Sequence, residues 1–71
     1  MVKIDLFGTP MVATRIGEEW QLFRESDTGL LSRVHEVVFP PGMDESELCG
    51  YLDDIFHELA TERHPRVRRR S

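Results

Sequence analysis

Seventy-one residues at 8.3 kDa allow one hydrophobic core and leave no room for a second. The single cysteine, Cys49, excludes an intrachain disulfide and a thiolate-built zinc site, and no stretch approaches the ~20 apolar residues of a membrane span. The net charge of −4 conceals a division. Thirteen acidic against four basic side chains leave −9 in residues 1–62, whereas residues 63–71 hold five arginines and no acid.

Val2, Ile4 and Leu6 alternate with Lys3 and Asp5, the period of a half-buried strand, and Gly8-Thr9-Pro10 ends it with turn residues. Met11 to Ile16 reads as a second strand. Gly17-Glu18 makes a tight connection to a third around Trp20-Gln21-Leu22-Phe23-Arg24. Ser26-Asp27-Thr28-Gly29 is a loop. A fourth strand is expected within Leu31 to Phe39, best supported at Glu36-Val37-Val38-Phe39. Connections this short favour antiparallel neighbours, hence a meander of three to four strands. Trp20 reads as a core anchor, while Phe7 and Phe23 are placed on the outward, uncovered side of the sheet.

Pro40 and Pro41 stop the ladder because neither offers a backbone N–H. Asp44 is then a natural N-cap, Glu47 stands at capping-box spacing, and Met43 and Leu48 flank them as a hydrophobic staple. Apolar residues at Leu48, Leu52, Ile55 and Leu59, widened by Tyr51 and Phe56, predict an amphipathic helix over about 44–63, ended by Pro65. Gly50 inside it implies tolerance or a close approach to another element. The organisation is thus a single α+β domain at 1–64, with the helix packed on one sheet face, and a basic, flexible tail at 65–71.

Chemistry is sparse. The metalloprotease pattern begun by His57-Glu58 fails because position 61 is Thr. Asp53 and His57, four apart on one helical face, are two metal ligands at most, with Glu58 or His64 nearby. The same spacing is an ordinary acid–imidazole pair. Cys49 borders the apolar stripe and reads as buried rather than nucleophilic. The helix N-terminus is a poor anion site, since Asp44, Glu45 and Glu47 already occupy its positive end. No catalytic residue, metal ligand set or cofactor is assigned. Arg66, Arg68, Arg69 and Arg70 are the candidates for anion or nucleic-acid contact, without the aromatic residues that would stack on bases.

The run Val37-Val38-Phe39-Pro40-Pro41, the acidic cap, Tyr51-Leu52-Asp53-Asp54, His57-Glu58, Ala60 and His64-Pro65 resembles a family of small uncharacterised bacterial proteins carried as a domain of unknown function. Ile4-Asp5-Leu6-Phe7-Gly8 and the Trp20 strand extend the likeness over nearly the whole chain. The resemblance implies a few short strands followed by one C-terminal helix, and it implies no activity.

These readings converge on a non-enzymatic, cytoplasmic protein that serves as a protein–protein interaction or regulatory accessory module. Its expected contact face comprises Asp53, Asp54, His57 and Glu58, and a domain this small has reason to form a homodimer. The alternative is a nucleic-acid-binding accessory protein acting through the arginine tail. A third reading, a minor enzymatic or metal-binding role, centres on Asp53, His57 and Glu58.

Overall fold

The computed structural model describes residues 1–70, and Ser71, the last residue of the expected tail, lies outside them. Strands β1 (Val2–Leu6), β2 (Thr9–Ile16) and β3 (Glu19–Glu25) form the predicted antiparallel meander. Two further strands, β4 (Leu31–Arg33) and β5 (Arg68–Arg69), flank it in the order β4-β3-β2-β1-β5. The sheet therefore has five antiparallel strands among the described residues, and one α-helix, α1 (Leu48–Phe56), packs against it. The class is α+β, with one more strand than the upper end of the expected range.

The first hairpin turns on Phe7 and Gly8, both in the left-handed region at φ 50° and 94°. Two such residues give the mirror-image turn whose twist matches its flanking strands. Phe7 is an unusual occupant of that position. Its ring is buried in the main cluster rather than exposed on the open side of the sheet. Gly8 is favoured for a second reason: a Cβ there would lie 2.9 Å from Cδ2 of the His64 ring.

Alternation divides the sheet cleanly. Val2, Ile4, Leu6, Met11, Ala13, Trp20 and Leu22 face α1 and close on Leu48 and Leu52. Trp20 is the expected anchor: its ring is buried, and Nε1 donates to the Met43 carbonyl at 2.7 Å. That bond ties β3 to the start of the helical region. On the opposite face Val12 is only 1% exposed although no helix covers it and it stands outside the main cluster. Its register neighbours there are Lys3 and the half-buried Phe23.

The fourth strand forms at Leu31–Arg33, not at 36–39. Val37 and Phe39 are buried and Val38 is 77% exposed, so burial alternates as in a strand. The segment nevertheless joins no ladder. The Val38 carbonyl accepts from the Tyr51 hydroxyl at 2.9 Å, and the Phe39 and Tyr51 rings stack at 5.4 Å in a tilted arrangement. The Tyr51 side chain of α1 thus takes a carbonyl that a neighbouring strand would have paired.

The capping box is present as predicted. Asp44 accepts from the Ser46 backbone, and Glu47 returns a bond to the Asp44 backbone at 2.9 Å. The first turn, Glu45–Glu47, is a 3₁₀ turn. After α1 a second 3₁₀ turn, His57–Leu59, closes the helical region four residues before the predicted end at 63. Thr61 provides the physical reason. Its N–H donates to the His64 carbonyl and its Oγ1 accepts from His64 N–H, both at 3.0 Å, which is a local alternative to helical bonding. The reversal sends the chain back to β1. With the helix shortened, Leu48 and Leu52 are buried, whereas Ile55 and Leu59 are 41% and 53% exposed and leave the predicted stripe. A Cβ on Gly50 would meet nothing within 4 Å, so its role is tolerance and the close approach is at Gly8 instead.

Candidate functional site

The basic tail is built into the domain. Val67 is buried in the main cluster, and its N–H donates to Asp53 Oδ2 at 3.0 Å. Arg68 and Arg69 pair with Asp5 and Ile4 of β1, and the Arg70 N–H reaches the Lys3 carbonyl at 2.9 Å. Residues 67–70 are therefore held to the domain, with β5 as an edge strand of the sheet, in place of the free tail expected from 65 onward. The cause is Val67, one apolar residue in a basic run, which gives the segment a side to bury.

Alternation sends Arg69 and Arg70 to opposite faces. Arg69 meets Glu45 beside the helical N-terminus at 2.7 Å. Arg70 crosses the open face: Nε donates to the Ile4 carbonyl at 3.0 Å, and Nη2 donates to the Met11 carbonyl and to Glu25 Oε1, both at 2.8 Å. One guanidinium thus ties β5 to β1, β2 and β3, and it lies on the side where Val12 is buried. Of the four arginines expected to contact an anion, Arg69 and Arg70 are engaged by the chain's own carboxylates. Arg66 and Arg68 are exposed and form no ion pair among the described residues.

The expected acidic face is divided in the same way. Asp53 accepts from Val67 N–H and lies 3.3 Å from His57 Nδ1. The Val67 hydrogen bond, more than His57, holds its carboxyl below the ordinary aspartate range. Asp53 is thereby a clamp on β5. Asp54, His57 and Glu58 remain exposed. His64 lies against Gly8, with Nδ1 3.9 Å from Asp5. The two histidine–aspartate pairs stay separate, and among the described residues no three potential ligands converge. Burial pushes the Cys49 thiol up from its usual range, which keeps it protonated at neutral pH and weakens it as a nucleophile.

One feature of the molecule is open in a directional way. Ser26 N–H donates to the Leu30 carbonyl and Val34 N–H to the Leu22 carbonyl, both at 2.9 Å. Since hydrogen-bonded pairs alternate along an antiparallel ladder, the registered pair Arg24–Ser32 is the bonded one between them. The N–H and C=O groups of Leu31 and Arg33 consequently point away from β3. Neither has a backbone partner among the described residues. All of residues 30–33 are exposed, with Leu30 at 71% and Leu31 at 43%. Beside this edge a shallow cavity of about 200 Å³ is lined by Trp20, Val37, Phe39, Glu19, Arg33 and His35. Neither Glu19 nor Arg33 has an ion-pair partner among the described residues.

The adjacent leucines Leu30-Leu31 were the available signal for this edge; poor alternation across 30–35 concealed its direction. Fold and surface together define a small α+β domain with one edge capped by charge and the other left bare. The chain belongs to the family described as Domain of unknown function (DUF7661), whose model matches residues 1–71. No curated protein and no solved structure matches the chain. No described helix is long and apolar enough to cross a membrane.

Proposed function

We propose that this protein is a non-enzymatic protein–protein interaction module that acts by strand addition at β4. The carrying observation is the outward set of main-chain groups on Leu31 and Arg33, flanked by exposed Leu30 and Leu31. An extended segment laid along β4 would satisfy these groups, and the neighbouring cavity would select among its side chains. Exposed Asp54, His57 and Glu58 offer a second, polar contact surface. The lone free thiol of Cys49 is in keeping with a reducing, cytoplasmic setting.

Nucleic-acid binding has less support, because Arg69 and Arg70 already contact Glu45 and Glu25. The test is affinity capture from the native host with the wild-type chain and with Leu31→Pro, followed by amide exchange on the reconstituted complex. The Leu31 N–H faces away from the sheet, so proline there removes an outward donor and no internal bond. Capture of a stoichiometric partner, its loss in the variant, and slowed exchange at Leu31 and Arg33 are expected. Binding that ignores the substitution would overturn the reading.

A further inference from the structure

We infer that the strand added to β4 is β4 of a second copy, paired antiparallel about a two-fold axis at Ser32; this rests on the strand-addition reading above. The edge is self-complementary. Its outward groups belong to odd-numbered residues, and a bonded pair needs an outward residue on each side. Three symmetric registers satisfy that requirement within the strand. An axis at Arg33 would set two guanidinium groups opposite each other, a repulsive cross-strand pair. An axis at Leu31 would place Arg33 opposite Gly29, which lies in the turn at φ 83° and cannot extend the ladder. An axis at Ser32 pairs Leu31 with Arg33 of the second copy twice over, and each pair exchanges two main-chain hydrogen bonds. That register uses all three residues of β4 in both chains.

The side chains agree with this register. On the helix side, the 71% exposed Leu30 meets Val34 of the second copy. On the open side the methylenes of Arg33 lie over the 43% exposed Leu31, and no like charges are opposed. The two-fold axis runs perpendicular to the sheet, so the product is one continuous antiparallel sheet with both α1 helices on the same face. Short strands and few apolar contacts make this an association of modest strength, one that responds to concentration.

Sedimentation equilibrium on the full chain, from about 5 to about 500 µM, tests the pairing. A monomer–dimer equilibrium is expected. Leu31→Lys, which sets lysine opposite Arg33 of the second copy while facing Glu25 of its own chain, should weaken it by at least about tenfold with the melting temperature retained. Leu31→Pro should weaken it in the same way. The register is read by mild oxidation of single-cysteine chains carrying Cys49→Ala. Ser32→Cys should form a disulfide dimer because the axis brings position 32 against itself at about 4.5 Å between Cα atoms, within disulfide range. Leu31→Cys and Arg33→Cys should not. A chain that stays monomeric throughout, a dimer indifferent to Leu31→Lys, or cross-linking at 31 or 33 in preference to 32 would each overturn the inference. A monomer that still captures a different partner through Leu31 would leave the strand-addition reading standing.

Discussion

Arg70 donates to Glu25 at 2.8 Å across forty-five positions of sequence, and in doing so spans the uncovered face of the sheet. The same guanidinium donates to two main-chain carbonyls, those of Ile4 and Met11. Arg70→Ala should destabilise the fold by about 1 kcal/mol, a figure discounted because the pair remains partly exposed to screening solvent. Arg70→Lys should recover less than half of that, since an ammonium cannot reproduce the planar fork. Urea titration of the three chains measures both.

Deleting residues 66–71 removes the Val67 side chain from the core as well as the arginine contacts. A loss of about 2–4 kcal/mol is expected, visible as a lower denaturation midpoint. An appendage would leave the midpoint unchanged.

Asp53 sets a pH dependence. Its carboxyl is held below the ordinary value of 3.8, first by the Val67 N–H. A depressed folded-state pKa contributes stability that is present above the unfolded value of about 3.8 and is lost as pH falls through the lower, folded value. The acid limb of the stability curve should therefore steepen below about pH 4, and Asp53→Asn should flatten it. Amide exchange at Val67 offers a local readout: protection there should fall in the same window. Asp44, lowered chiefly by the Ser46 hydroxyl, adds a slope of the same sign.

Gly8→Ala should cost about 1–3 kcal/mol, because φ is 94° and the new Cβ would press on the His64 ring. His64→Ala in the same chain should relieve part of that cost. The coupling from a double-mutant cycle separates ring contact from backbone strain, which the second substitution leaves in place.

Leu52→Ala should destabilise by about 2–5 kcal/mol and Ile55→Ala by much less, given 0% and 41% exposure. Thermal melts of the two variants locate the buried side of α1. Equal losses would return Ile55 to the packed stripe.

Much of this molecule is legible in the chain itself where the signal is local. The Asp44–Glu47 box, the Trp20 anchor and the three meander strands each follow from spacing within a few residues. What escapes is what depends on distant partners. Val37 to Phe39 has strand composition, yet Tyr51 of α1 takes the Val38 carbonyl. The helical region stops at Leu59 because Thr61 and His64 bond each other, a preference that apolar periodicity does not register. Charge counting reads residues 66–70 as solvated, although Val67 and three carboxylates from separate elements hold the segment down. At the candidate site the exposed residues Asp54, His57 and Glu58 are apparent from helical spacing. The bare edge is not, since its direction is set by the Ser26 N–H that the Leu30 carbonyl accepts and by the Leu22 carbonyl that accepts from Val34.

The two rims of the sheet are unequal, and the inequality bears on solubility. β5 is only two residues long and both are arginine, so it offers little template for further strands. Without it, the five residues of β1 would form a second bare rim opposite β4. A sheet open at both ends can propagate from molecule to molecule into a fibre, whereas one open at a single end is finished by one addition. The arginine strand is in this sense a terminator: without it the sheet would have two unpaired rims in place of one.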